Sequence, residues 1–185
     1  MIQVLTVKGV GIGHMGAADQ GADASSGRWT TIPRTLCLIT SGDDVLLIKR
    51  AAHKRIFPGR YNGIGGHLER DEDPRSGAIR EMREETGLPV RDVRLRGVSN
   101  IDAGQSVGIL LFTFTAVSDS RALADCDEGT LQWVPIADAQ NLPLVEDLLI
   151  LFRLLFGTDA SDVPFFAHVW YDSSDKMIMT FAEKG

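Results

Sequence analysis

The sequence predicts one α/β domain, and three observations predict it. The chain has 185 residues, 44% of them apolar, enough for a single sizeable core without disulfides or a structural metal. Short apolar runs bounded by Gly, Asp and Ser read as strands. Two longer segments carry helix start and stop signals.

In chain order, Ile2 to Val7 reads as a short strand. His14 to Arg28, rich in Gly, Ala, Ser and Asp, has nothing periodic to bury and reads as a mobile extension. The main domain is therefore expected over residues 32–185, with 1–31 as an N-terminal strand and flexible extension. Leu36 to Thr40 and Val45 to Lys49 flank Ser41-Gly42-Asp43-Asp44, a hairpin signal. Arg50 to Gly66 mixes basic residues, Pro58 and several glycines, so it predicts a long loop leading into a short strand. Asp73-Pro74 is a helix start and Gly87-Leu88-Pro89 the matching stop, which bounds a helix at 74–86. Val93 to Ser99, Val107 to Ala116 and Leu131 to Val134 read as strands. Leu144 to Phe156 reads as a second, mostly buried helix ending at Gly157. Phe165 to Tyr171 and Met177 to Phe181, around Asp172-Ser173-Ser174-Asp175, predict a final hairpin.

Composition excludes several function classes. The longest apolar run, Leu148 to Phe152, is halted by Arg153 and falls far short of the about 20 residues needed to span a bilayer, so a soluble protein is expected. Nineteen basic against 25 acidic residues leave a net charge of −6, with no basic stripe, which speaks against duplex nucleic acid as a partner. An acidic protein can still hold a polyphosphate when divalent cations lie between its carboxylates and the ligand. Cys37 and Cys126 have no metal-ligand spacing and read as reduced, structural thiols. The N-terminus has no signal-peptide pattern, and a cytoplasmic location is the expectation.

Helix 74–86 carries Glu81, Glu84 and Glu85, and offsets of three and four put the latter two one turn beyond the first on a shared face. Like charges at this spacing repel, so a cation between them makes physical sense, and carboxylate oxygens favour Mg2+ or Mn2+. The other reading of the same residues is a solvated face with Arg80 and Glu84 as an ordinary i,i+4 pair.

The wider pattern is Gly66, five residues, Glu72, seven residues, Arg80-Glu81-Met82, one residue, Glu84-Glu85, one residue, Gly87-Leu88. This run resembles a complete Nudix box. The resemblance implies a Nudix-type α/β/α sandwich, with a mixed β-sheet between helices, and a loop-helix-loop that binds divalent metal and a diphosphate. Read physically, Gly66 lets the backbone turn close to the metal, Ala78, Ile79 and Met82 form the face that packs on the sheet, and Gly87 permits a left-handed exit. The resemblance further implies that Glu72 and Arg80 brace loop against helix, and that Glu81, Glu84, Glu85 and the carbonyl of Gly65 bind magnesium. Glu128, in an acidic loop before the strand at Leu131, fits a further metal ligand. The implied reaction is metal-assisted hydrolysis, with Glu84 or Glu128 taking the proton of the attacking water.

Substrate choice lies outside the box. Ala103-Gly104-Gln105-Ser106 departs from the signatures of ADP-ribose and diadenosine polyphosphate hydrolases, and the NADH-hydrolase and coenzyme A signatures are absent. Gly59-Arg60-Tyr61-Asn62-Gly63-Ile64-Gly65-Gly66 resembles the run found in the 8-oxo-dGTP diphosphatases, the oxidised-purine nucleoside triphosphatase branch, where the Asn binds the base. Asn62 offers a donor and an acceptor to a purine edge, or simply forms a turn before Gly63. Glu146-Asp147 before an apolar helix matches the base-reading acids of that branch, or serves only as helix N-terminal acids. Leu144-Val145 stands where that branch has a stacking Trp. His67 replaces a phosphate-contacting Lys, which shifts phosphate binding toward Arg50, itself also readable as a strand-end surface charge. The expectation is a Mg2+-dependent hydrolase of (d)NTPs, oxidised purine forms among them, giving nucleoside monophosphate and pyrophosphate and acting as a monomer or weak homodimer in nucleotide pool sanitation. The alternatives are a pterin triphosphate, a nucleotide sugar or 5′-triphosphate RNA as substrate, or a non-catalytic nucleotide-binding regulator.

Overall fold

In a computed structural model, which describes residues 20–22, 27–158 and 160–183, eight strands form one mixed sheet with helices on both faces. The strand expected at Ile2 to Val7 and most of the expected mobile extension lie outside the described residues. The elements are β1 (Thr30–Ser41), β2 (Asp44–Arg50), β3 (Tyr61–Asn62), α1 (Pro74–Thr86), β4 (Arg91–Ile101), β5 (Val107–Val117), β6 (Gly129–Pro135), α2 (Ile136–Ala139), α3 (Glu146–Phe156), β7 (Phe165–Tyr171) and β8 (Met177–Phe181). The α/β/α sandwich expected from the sequence is the fold found.

The order β3-β2-β1-β5-β4-β7-β8, with β6 on the other side of β2, combines parallel pairs (β1 with β5, β4 with β7) and antiparallel hairpins. The first hairpin opens: β1 and β2 pair only at Ile39–Leu46, Thr40–Val45 and Ser41–Asp44. Into the gap comes the chain around β3, bonded to β2 at Asn62 and Tyr61 and to β1 by bridges Cys37–Ile64 and Arg34–His67. This wedge delivers the Gly63 to His67 segment to the middle of the sheet, beside α1.

Alternation along β1 and β2 divides the core in two. Leu36, Leu38, Val45 and Leu47 meet Leu148, Leu151, Phe152 and Leu155 of α3. Cys37, Ile39, Leu46 and Ile48 meet Ala78 and Met82 of α1, with Ile79 half-buried beside them. The helix face expected at Ala78, Ile79 and Met82 is thus the packing face. Cys37 is buried, Cys126 is half-buried and both are free thiols.

Helix α1 has the bounds that its caps dictate. Asp73 accepts bonds from the N–H groups of Arg75 (2.9 Å) and Ser76 (3.0 Å), Pro74 occupies the first turn, and Gly87 leaves with φ 72° while its N–H reaches the Arg83 carbonyl. Several strands run beyond their expected ends, β4 (Arg91–Ile101) by two residues on each side, and three further differences stand out. Helix α3 starts at Glu146 rather than Leu144, because Leu144 bridges to Tyr61 and the Val145 N–H bonds the Tyr61 carbonyl, which holds both residues extended. Strand β1 is longer than Leu36 to Thr40 and runs through Pro33, whose ring is tolerated because its nitrogen lies on the side where Thr35 and Cys37 donate to the wedge, away from β5. The short helix α2 follows β6 where no helix was expected, in a segment of about one turn that shows no period.

Candidate active site

The wedge and α1 together build an acidic cavity of about 450 Å³. Glycine geometry fixes how close they come. Gly65 has φ 152°, and a Cβ there would lie 2.1 Å from the Thr35 carbonyl oxygen. A Cβ on Gly66 would lie 2.5 Å from Glu81 Oε1, so Gly66 is needed for the approach of the helix carboxylate rather than for a left-handed turn of its own.

Arg80 organises this corner. Its Nε and Nη2 donate to the Glu72 carboxylate (3.0 and 2.6 Å), Nη1 to Glu81 (2.9 Å) and Glu84 (3.0 Å), and Nη2 also to the His67 carbonyl (3.0 Å). One guanidinium therefore ties the loop to the helix, the bracing expected of Glu72 and Arg80. The same bonds hold the Glu72 carboxyl below its usual range, with the Glu69 N–H assisting.

Glu81, Glu85 and Glu128 line the cavity together with Gly65, Gly66, Arg50, Asn62 and His67. Glu84 does not: its side chain is 60% exposed and drawn to Arg80. The expected convergence of three helix carboxylates is thus a pair, Glu81 and Glu85, joined by Glu128 from across the cavity. Burial, reinforced by the charges of Glu81 and Glu128, pushes the Glu85 carboxyl up to about 7, against a partial pull downward from the Gly65 N–H. Glu128 is held low instead, by a 2.6 Å bond from Lys54 and by Arg50 at 3.3 Å.

A resident cation suits this chemistry. Every donor is oxygen, which is what Mg2+ takes, and carboxylates crowded enough to raise one proton affinity are relieved by a positive charge. Among the described residues no three acidic, His or Cys side chains already stand in ligand positions, and Arg80 takes one oxygen each of Glu81 and Glu84. Glu81, Glu85, Glu128 and the Gly65 backbone are the groups that would hold the ion, with Glu84 joining if it leaves Arg80.

A second, more apolar cavity of about 640 Å³ opens from the first. Strands β1, β4, β5, β7 and β8 wall it with residues such as Ile32, Ile109, Val169 and Met179, and Glu146 and Asp147 stand at its α3 end. Asp147 borders both cavities, half-buried, and burial raises its carboxyl above the usual range. Asn62 lines the acidic cavity with its Oδ1 already accepting the Gly63 N–H (2.9 Å), so the turn is made while the amide NH2 stays available. Arg50 lines it too, but is engaged by Glu128 and by the Ile56 carbonyl (Nε, 2.9 Å). Sequence reasoning missed Arg34 and Phe57, which border both cavities, and Lys54, which holds Glu128. Only Lys54 had a signal, the basic composition of its loop.

The model of the family described as "NUDIX domain" matches residues 30–155. An uncharacterized Nudix hydrolase, YvcI of Bacillus subtilis, is 35% identical over 115 residues, which cover 60% of this chain and 70% of that protein. The NAD-capped RNA hydrolase NudC of Pseudomonas aeruginosa is 37% identical over 111 residues, 60% of this chain, but the match spans only 38% of NudC. Among solved structures, a MutT protein of Bacillus halodurans superposes with TM-score 0.70 at 24% identity, covering 83% of this chain and 99% of that one. The NUDIX domain of Shewanella oneidensis NrtR, complexed with ADP ribose, superposes with TM-score 0.61 at 20% identity, covering 75% and 96%.

Proposed function

The chain belongs to the Nudix family, and from that premise we propose that it is a Mg2+- or Mn2+-dependent pyrophosphohydrolase of (d)NTPs, oxidised purine nucleotides included, releasing nucleoside monophosphate and pyrophosphate. The observation that carries this reading is the pairing of an acidic cavity with an apolar one through a shared border. The first suits a cation-bound polyphosphate, the second a base and sugar. Asp147, on the border of the apolar cavity, and Asn62, in the acidic cavity, are hydrogen-bonding groups that a purine edge could use.

When bound, the metal would neutralise phosphate charge and lower the proton affinity of the attacking water. The chain's own residues do the rest. Arg80 with Glu72 holds the loop against α1, so that Gly66 and Glu81 face one another. Of the two candidate bases, Glu128 already lines the cavity but Lys54 and Arg50 depress its proton affinity, whereas Glu84 must leave Arg80 to reach the cavity. Retention of Glu81, Glu84 and Glu85 also favours turnover over a purely regulatory binding role.

The test is steady-state turnover with Mg2+ on normal and oxidised (d)NTPs, ADP-ribose and a nucleotide sugar, with products resolved chromatographically and Glu84→Gln alongside. The expected result is monophosphate plus pyrophosphate from a purine triphosphate, with kcat of Glu84→Gln down by 10²-fold or more. A second reading, cleavage of a nucleoside diphosphate linked to a larger group, is favoured by the size of the apolar cavity and by the likeness to NudC, and would appear in the same panel as turnover of the linked substrates alone.

A further inference from the structure

Strand β1 runs beneath both cavities, and its even-numbered residues face them. Ile32 lines the apolar cavity, Leu36 the acidic one, and Arg34 between them borders both. The other residues at this join are Ile56, Phe57, Leu111, Val145 and Asp147, so Arg34 is the one cation there among the described residues. Its Nε is buried with no hydrogen-bond partner, and it forms no ion pair among the described residues.

That is an expensive way to hold a guanidinium. Burying a donor without an acceptor is costly, and a group left so in a folded protein calls for a partner such as a bound ion, water or ligand. Arg96 gives the contrast: its Nε is equally orphaned, but its Nη atoms are taken by the Ser161 carbonyl (2.7 Å) and Asp162 (3.2 Å). Arg50, the other arginine on the acidic cavity, is committed to Glu128 and Ile56. Arg34 is also rigidly placed, since its backbone bridges to His67 and the next residue, Thr35, donates to the Gly66 carbonyl (2.9 Å).

We propose that Arg34 is a substrate-binding residue that grips the phosphate attached directly to the nucleoside, at the join between the base cavity and the metal cavity. This rests on the nucleotide reading above. A nucleotide spanning the two cavities has one phosphate common to both, and a planar fork of N–H donors at that point matches two of its oxygens. Because that phosphate stays on the monophosphate product whatever the leaving group, the assignment is independent of which group is released.

The experiment is calorimetric binding of dGMP, dAMP and inorganic pyrophosphate to the full chain with Mg2+, for wild type, Arg34→Gln, Arg34→Lys and the control Arg96→Gln, each checked by thermal denaturation. Arg34→Gln is expected to weaken the monophosphates by tenfold or more while changing pyrophosphate less than twofold, and Arg34→Lys to recover part of the loss. Arg96→Gln should bind as wild type does. Monophosphate binding unchanged in a folded Arg34→Gln overturns the assignment, as does an equal loss for pyrophosphate, which would put Arg34 on the leaving group. A wild type that binds neither monophosphate and turns over no nucleotide overturns the nucleotide reading itself, a result distinct from either. Should Arg34→Gln fold poorly, Arg34→Lys decides: monophosphate affinity equal to wild type also overturns the claim, because a lysine cannot reproduce the fork.

Discussion

At the scale of single residues, charge placement dominates. Glu85 combines burial with two neighbouring carboxylates, and its proton affinity rises so that it titrates near 7 in the metal-free protein. A carboxyl raised from 4.5 binds protons more tightly when folded, so its stabilising contribution is complete below about 4.5 and is lost as pH rises through about 7. Carbon-detected NMR of metal-free protein should show one glutamate carboxyl with a midpoint near 7. Added Mg2+ should move that midpoint down, since cation and proton compete for the same oxygens. A Glu85 titrating as an ordinary glutamate would refute the crowding argument.

Arg80 is the other decisive side chain. Arg80→Ala removes charge-assisted bonds to three carboxylates, but at 28% exposure the stability cost is screened to about 1 kcal/mol. The cost to activity should be much larger, because the loop carrying Gly65 and His67 loses its tie to α1. The expected outcome is a Tm lower by a few degrees and kcat lower by at least tenfold, read from a melting curve and a turnover assay on the same sample.

At the scale of elements, α1 shows how far local signals reach. Its cap residues, first-turn proline and terminal glycine all lie within one turn of its ends, and its observed bounds, Pro74 to Thr86, are those read from sequence. Met82, fully buried against β1 and β2, anchors the acidic helix to the sheet. Met82→Ala should cost about 2–5 kcal/mol by transfer and cavity terms, measured by urea denaturation. Phe152→Ala on the opposite face should cost about 3–5 kcal/mol, since Phe152 is 1% exposed in the α3 cluster. By contrast, the start of α3 was misjudged by two residues. Leu144 and Val145 are apolar enough to belong to the helix, yet Tyr61, more than 80 positions earlier, pins them as extended chain.

For the whole molecule, the two half-cores on either face of the sheet do not depend on the cation cavity. Chelation with EDTA should therefore abolish turnover while leaving the far-ultraviolet circular dichroism spectrum intact, and Mg2+ should raise Tm by an amount that grows with its concentration. Unfolding on chelation would mean that the carboxylate cluster cannot be tolerated without its ion. The match to the family spans residues 30–155, whereas β7 and β8, which lie beyond it, add the wall that closes the apolar cavity with Val169, Tyr171, Met177 and Met179. On the function proposed above, substrate selection would therefore draw on a part of the chain to which the shared family pattern does not extend.

What the sequence by itself determined is whatever is written within a turn or a hairpin: the bounds of α1, both terminal hairpins, the spacing of Glu72, Arg80, Glu81, Glu84 and Glu85, and through that spacing the family. Tertiary structure alone decided which carboxylates face the cavity: the Arg80–Glu84 pair is local to α1, but Glu128 reaches the same cavity as Glu81 and Glu85 from another part of the chain, and Glu72 and His67 fix Arg80 from the loop. It also decided the role open to Arg34. In sequence this is one charged residue ahead of an apolar run; the parallel pairing of β1 with β5 and the opening of the first hairpin set it between two cavities. Caps and spacings act over a few ångströms along the chain, whereas a cavity is made by segments that meet only after the sheet has closed, and no local pattern encodes that meeting.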